Sequence, residues 1–171
     1  MNQQKQIPTL SILIPTKNRL EALKDAIASI DVIYSFPAEI IVTDNASSDG
    51  TKDFLERYQS KNNDFRYIRN NEDLGMVGNW NIALSSAQGK YIYLLCDDDI
   101  SFPQTIEELI NLLEMKSNCA LAFGSRAEVR EDFFRDAQID AATGKFNQKI
   151  GNHILLQRNQ TIFESNDLLK K

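Results

Sequence analysis

Strand-like runs begin at Leu10, Glu39, Phe65, Tyr91 and Cys119, a spacing of 26 to 29 residues, and a helix-like stretch separates each from the next. That rhythm of strand, helix and parallel strand restricts the fold to a few arrangements. The runs Leu10-Ser11-Ile12-Leu13-Ile14, Glu39-Ile40-Ile41-Val42-Thr43 and Tyr91-Ile92-Tyr93-Leu94-Leu95-Cys96 are nearly continuous in apolar character rather than alternating. Strands of this kind lie in parallel sheets covered by helices on both faces. The expectation is an α/β, Rossmann-like three-layer sandwich around a mostly parallel sheet. The more polar run Phe65-Arg66-Tyr67-Ile68-Arg69 belongs near an edge.

Local signals fill in the rest. Pro15 stops the first strand. Asn18 and Glu21 stand at capping-box spacing before a helix whose Leu20, Leu23, Ile27 and Ile30 share a face. Ser47-Ser48-Asp49-Gly50 is turn and N-cap chemistry, followed by a helix with Phe54, Leu55 and Tyr58 inward. The next helix runs from Asn79 to Gln88, with Asn79 as cap, Trp80, Ala83, Leu84 and Ala87 apolar, and Gly89 as its C-terminal stop. Ser101, Pro103 and Gln104 start another, with Ile106, Leu109, Ile110 and Leu113 inward. Beyond Ser125 the pattern weakens. Residues 126–140 read as an exposed, charged excursion, Ile154-Leu155-Leu156 and Thr161-Ile162-Phe163 as short strands, and Ser165 as the cap of a last helix.

The 171 residues suit one domain, residues 1–171, with an acidic balance of −5 that argues against a nucleic-acid footprint or a polybasic membrane patch. No apolar run approaches the ~20 residues that span a bilayer, and the polar start Met1-Asn2-Gln3-Gln4-Lys5-Gln6 is unlike a signal peptide. Cys96 and Cys119 read as reduced core residues of a cytoplasmic protein. The single histidine, His153, excludes multi-histidine metal sites and leaves any His-based triad without a suitable neighbour.

Chemistry concentrates where strands end. Asp97-Asp98-Asp99 follows the fourth strand without a break. Three adjacent carboxylates at the mouth of a low-dielectric core repel one another, and a cation removes that cost. Hard oxygen ligands select a hard ion, Mg²⁺ or Mn²⁺, which keeps several waters and shares its shell with phosphates. The alternative is an acidic, solvated loop; the position after a buried strand favours a site, because open α/β sheets bind ligands at strand carboxyl ends. Pro15-Thr16-Lys17-Asn18 and Asp44-Asn45 end the first two strands and should lie beside the triplet. These clusters carry almost no cationic group, and neither G-x-x-x-x-G-K-[ST] nor G-x-G-x-x-G is present, so a diphosphate here needs a metal to neutralise it. Asp44 offers acceptors to a base N–H or to ribose hydroxyls. A receiver-like signalling domain would need acids after the first strand, where this chain has none.

Four blocks in order carry a family likeness: Ser11-Ile12-Leu13-Ile14-Pro15-Thr16-Lys17-Asn18-Arg19, the run from Glu39 through Thr51, Asn79-Trp80-Asn81-Ile82-Ala83-Leu84, and Gly89-Lys90-Tyr91 through Asp99 with Pro103. Together they resemble the family 2 glycosyltransferases of GT-A fold. The resemblance covers residues 7–124 as the nucleotide-sugar-binding part and, more faintly, residues 125–171 as the start of an acceptor part that looks truncated.

The resemblance implies a metal-dependent transferase that moves a sugar from a nucleotide diphosphate sugar, most often a UDP-sugar, to an acceptor hydroxyl with inversion. The acceptor would be a saccharide or lipid-linked saccharide, with the protein at the inner face of the membrane as such enzymes often are. It maps Pro15, Thr16 and Asp44 to the nucleotide. Asn18, Gly75 and Asn79 are family-like contacts whose alternatives are capping, for the two asparagines, and a positive φ, for the glycine. Counting back from Pro103, the family's Asp-any-Asp falls on Cys96, Asp97 and Asp98, so Cys96 replaces its first acid. That register makes Asp98 the metal ligand and Asp97 the ribose contact, with Asp99 as an extra acid; the other register, Asp97-Asp98-Asp99, makes Asp99 the ligand. Trp80 is either core or a stacking platform. The stretch Gly151 to Phe163 resembles the segment before the family's base, and Asp132, Asp136, Asp140 and Glu164 remain unassigned acids. The competing reading is a truncated, catalytically incomplete module that binds a nucleotide sugar without transferring it.

Overall fold

Ile12, Leu13 and Ile14 are consecutive and all fully buried. Neighbouring strand residues point to opposite faces, so this sheet is covered on both sides, as a parallel sheet requires. The computed structural model describes residues 7–116, 118–123, 139–140, 145–146 and 161–164. It forms two compact units, Met1–Ser101 and Phe102–Lys171.

The first unit holds β1 (Leu10–Thr16), α1 (Leu20–Ile30), β2 (Ala38–Asp44), α2 (Thr51–Gln59), β3 (Phe65–Arg69), α3 (Gly75–Ser86) and β4 (Tyr91–Leu94). Its four strands make one sheet in the order β3-β2-β1-β4, parallel throughout. The α/β class is borne out, and so is the edge position of β3. Leu13, Ile41 and Ala83 form a core cluster that joins β1, β2 and α3, with Ile68, Ala87 and Leu94 against it. On α1 the buried Leu23, Ala26, Ile27 and Ile30 follow the helical period. Each of the buried leucine and isoleucine side chains contributes about 1.5–3 kcal/mol by leaving water.

Several local expectations are corrected by long-range partners. The first strand runs through Pro15 to Thr16. Leu13 turns its carbonyl to β4, where it accepts from the Leu95 N–H, and Thr16 turns its carbonyl to β2, where it accepts from Asn45. By that alternation the N–H that Pro15 lacks would face β4, beyond the last pair of the ladder, Leu13 with Leu94. Asn18 does not cap α1; Asp49 does so from the loop before α2, its Oδ2 accepting the Leu20 N–H at 2.9 Å. Helix α3 begins at Gly75, four residues before Asn79, with Gly75 at φ 70° as the turn into it. Helix α3 ends at Ser86 with Ala87 as its C-cap, so Gly89 is not its stop; a Cβ at Gly89 would lie 2.5 Å from the Ser11 backbone nitrogen. Ser101 caps nothing; it shares a 2.9 Å hydrogen bond with the Tyr93 hydroxyl.

The second unit has α4 (Pro103–Met115), β5 (Cys119–Phe123), β6 (Ile139–Asp140), β7 (Lys145–Phe146) and β8 (Thr161–Glu164). The β8 strand was expected at Thr161-Ile162-Phe163. β5 forms where expected but pairs antiparallel with β8 in a separate two-stranded sheet, and β6 pairs antiparallel with β7. Ile106 and Ile110 of α4 are buried. Both cysteines are free and half-buried rather than core residues. Apart from β6 the charged excursion lies outside the described residues, as do Ile154-Leu155-Leu156 and Ser165.

Candidate functional site

The chain order β1, β2, β3 moves outward on one side of β1, and β4 then returns to its other side. β1 and β4 therefore flank the switch point where open α/β sheets bind ligands. Just past the end of their ladder, the Thr16 hydroxyl donates to Asp97 Oδ2 at 2.7 Å. The Arg19 Nη1 donates to Asp97 Oδ1 at 3.2 Å and to Asp98 Oδ2 at 2.5 Å. One guanidinium nitrogen thus bridges the first two acids of the triplet. Burial pushes the Asp97 carboxyl above its ordinary range, against the Thr16 hydroxyl and the Arg19 charge, which favour the ionised form. Asp97 and then Asp98 push the Arg19 guanidinium up in turn.

Cys96, Asp98 and Asp99 each bring a ligand atom within 4.8 Å of the others. Burial first, then the neighbouring acids, push the Cys96 thiol up. It stays protonated and is a poor ligand for a hard ion. The residues that fit Mg²⁺ or Mn²⁺ are therefore Asp98 and Asp99, both exposed, with Asp97 already engaged by Thr16.

On the other flank Asp44 ends β2 with no exposed surface. Its Oδ1 accepts the Ser47 N–H at 2.8 Å, and its Oδ2 accepts the Tyr67 hydroxyl at 3.0 Å and the Arg69 guanidinium. Burial raises the Tyr67 phenol to about 12, Asp44 adding to the rise and Arg69 opposing it. A ligand that reaches Asp44 must take the place of one of these partners. Asn18 anchors the facing loop: its N–H donates to Ser47 Oγ at 2.9 Å and its Oδ1 accepts the Ser48 N–H at 2.7 Å. Asn18 and Ala46 both hold a left-handed backbone, φ 52° and 57°, a strain that clusters in functional loops.

Asn79 is buried inside α3. Its amide nitrogen donates to the Thr43 carbonyl at 2.9 Å and the Thr16 carbonyl at 3.4 Å, and its oxygen accepts from Asn70 at 2.9 Å. It fastens the helix to two strand ends. The loop before α3 is strapped down by Asp73, which accepts from Lys17 and from Asn45 at 2.5 Å. The Lys17 bond is the main reason why the Asp73 carboxyl sits below its usual range. Gly75 is exposed, its carbonyl accepting from Asn45 at 3.4 Å.

The structure thus brings Thr16, Asp97 and Asp98 together, with Asp99 beside Asp98 and Pro15 buried beneath. Asp44 and Asn18 meet through Ser47, and Asn79 sits below both strand ends. Trp80 is half-buried. The expectation of almost no cationic group is wrong: Arg19 and Arg69 reach acids at these strand ends, and Lys17 reaches Asp73 in the loop before α3. Arg19 and Lys17 lie in the block Pro15 to Arg19, where basic residues directly after a strand end were the available signal. Asp132, Asp136 and His153 lie outside the described residues, and Asp140 and Glu164 are described as strand backbone alone. No helix among the described residues is long and apolar enough to cross a membrane.

Among relatives, the chain is 35% identical over 113 residues to the GalNAc(5)-diNAcBac-PP-undecaprenol beta-1,3-glucosyltransferase of Campylobacter jejuni, covering 66% of this chain and 35% of that protein. It is 27% identical over 157 residues to abequosyltransferase RfbV of Salmonella typhimurium, covering 87% and 47%. The chain thus spans less than half the length of these relatives. Among solved structures, TarS of S. aureus superposes with a TM-score of 0.54 at 22% identity over 63% of this chain and 32% of that one. The mannosyltransferase PcManGT of Pyrobaculum calidifontis, solved with GDP-Man and Mn²⁺, gives a TM-score of 0.56 at 22% identity over 77% and 39%. These likenesses show the fold. The family model for glycosyl transferase family 2 matches residues 11–169, which include every strand end described above, and the chain belongs to that family.

Proposed function

We propose that this chain binds a nucleotide diphosphate sugar, a UDP-sugar, in the crevice between the ends of β1 and β4, as the donor part of an inverting glycosyltransferase. The observation that carries the reading is the convergence of Thr16, Arg19, Asp97 and Asp98 at the switch point of the sheet. A structural neighbour, TarS, has been solved with UDP and with UDP-GlcNAc. Asp98 holds the Mg²⁺ or Mn²⁺ ion with Asp99 beside it. When bound, that ion supplies positive charge to the diphosphate and stabilises it as the leaving group.

Asp97, fixed by Thr16, offers its remaining acceptor capacity to the ribose. Asp44 presents Arg69 and Tyr67 on the nucleotide side and accepts from the base where one of them yields. Asn18, Asn79 and Pro15 hold the strand ends in position, and Gly75 lets backbone approach the ligand. The acceptor is a saccharide or lipid-linked saccharide, in keeping with the undecaprenol-linked name of the Campylobacter relative. Residues 1–171 act as a single family domain, its donor part residues 7–124, at the cytoplasmic face of a membrane in a polysaccharide pathway.

Calorimetric titration of UDP into the chain, with and without Mn²⁺, tests the reading. Binding that appears or tightens sharply with Mn²⁺ supports it, and no binding under either condition overturns it. Sugar transfer to a saccharide acceptor separates the enzyme from a module that binds without transferring.

A further inference from the structure

Arg19 is part of the convergence at the switch point, but the proposed function gives its side chain no step of its own. Its backbone is fixed at the start of α1, where Asp49 accepts the next N–H, that of Leu20. Its side chain is 52% exposed and reaches back over Asp97 and Asp98. The two acids differ in freedom. Asp97 is also held by Thr16, and its side chain is 10% exposed, whereas that of Asp98 is 55% exposed. Arg19 therefore lies on the one carboxylate of the pair that is free to take an ion, and it supplies the positive charge that the pair needs without one.

We propose that Arg19 is a displaceable counter-ion: it neutralises Asp97 and Asp98 in the ion-free protein, yields Asp98 to the divalent cation, and turns its guanidinium to the diphosphate. The inference rests on the metal reading of Asp98. Exchange is feasible because an exposed ion pair is weak and two charges outbid one. The freed guanidinium matches phosphate oxygens in a planar fork, which an ammonium does not. The device keeps the acids paired until the ion arrives, and the ion frees the guanidinium for the nucleotide, so the two ligands bind cooperatively.

The test is Mn²⁺ binding to the full chain, read as free-ion electron paramagnetic resonance, followed by UDP titration at saturating Mn²⁺. Without nucleotide, Arg19→Gln should bind Mn²⁺ about tenfold more tightly, since a competing positive charge a few ångströms away is gone. At saturating Mn²⁺ the same variant should bind UDP about tenfold more weakly. Arg19→Lys keeps the charge and should bind Mn²⁺ like the wild type while remaining weak for UDP. Opposite signs for ion and nucleotide are not what a loss of folding produces. If the wild type binds Mn²⁺ and Arg19→Gln binds it equally or more weakly, this inference falls and the metal reading stands. Unchanged UDP affinity in Arg19→Gln also overturns it. If neither protein takes up Mn²⁺, the metal reading falls and takes the inference with it.

Discussion

The Thr16 hydroxyl donates to Asp97 Oδ2 at 2.7 Å across the gap where β1 and β4 part company. This bond joins residues that are 81 positions apart, and it favours the ionised form of a carboxylate whose pKa burial raises. Because burial holds the Asp97 pKa above its ordinary value, the folded state binds that proton more tightly than the unfolded chain does. Asp97 therefore favours folding below the ordinary carboxylate range, and that contribution is lost as pH rises through the raised pKa. Asp97→Asn keeps an acceptor for Thr16 and removes the titration. Urea unfolding at a series of pH values should show the variant gaining on the wild type as pH rises from acid to neutral. A difference that is flat with pH would mean that Asp97 keeps an ordinary pKa.

The Asp44 side chain has no exposed surface, and its counter-charge is the partly exposed Arg69 guanidinium. Arg69→Met leaves the carboxylate with the Ser47 N–H and the Tyr67 hydroxyl alone. Removing one partner of a buried pair costs about 3–5 kcal/mol, and the 32% exposure of the Arg69 side chain lowers the expectation to about 2–3 kcal/mol. Chemical denaturation with an unchanged m-value measures it. A loss below about 0.5 kcal/mol, the level of an ordinary surface change, would show that water replaces Arg69 without cost.

Gly89 tests a different kind of constraint. A Cβ there meets backbone atoms of β1, the Ser11 nitrogen at 2.5 Å and the Leu10 carbonyl carbon at 2.7 Å, which cannot swing aside as a side chain would. Gly89→Ala should cost about 3 kcal/mol, the upper end for overpacking. Thermal unfolding of Gly89→Ala beside Gly75→Ala separates close approach from backbone conformation. Gly75 has open space for a Cβ but a φ of 70°, which costs an alanine about 1–2 kcal/mol.

The strands of the sheet were legible because burial on both faces writes itself into consecutive apolar residues such as Ile12, Leu13 and Ile14. The acids at their ends were legible because polar residues directly after such a run have nowhere to be but the sheet edge. What failed were the local inferences about caps and about the lack of cations at the strand ends. Asn18 with Glu21 is a sound local cap signal, yet Asp49 takes the position because the order β2-β1 brings its loop alongside. Arg19 meets Asp97 and Asp98 only because β4 returns to the free side of β1, and no local pattern encodes that return. β5 carries the same apolar signature as β1, but its antiparallel pairing depends on β8, some 40 residues later, where the periodicity has faded.

The two registers of the acidic motif make opposite demands, and the function proposed above takes the one that gives the ion to Asp98. With Cys96 in the first position the ion falls to Asp98, while the register Asp97-Asp98-Asp99 gives it to Asp99. Cys96, held protonated by burial and its acidic neighbours, contributes no charge. Asp98 and Asp99 are the exposed members of the cluster, and Asp98 already sits against the positive charge of Arg19. Asp98→Asn should therefore abolish the dependence of UDP binding on Mn²⁺, a loss of at least tenfold, which corresponds to about 1.4 kcal/mol. Asp99→Asn should weaken it severalfold and leave the dependence in place. Side-by-side calorimetry of the two variants with UDP and Mn²⁺ decides between the registers, and a reversed order of losses assigns the ion to Asp99. Because Asp98 is a solvent-exposed acid whose partner Arg19 is itself half exposed, Asp98→Asn should melt close to the wild type, so that lost binding reports the ion and not the fold.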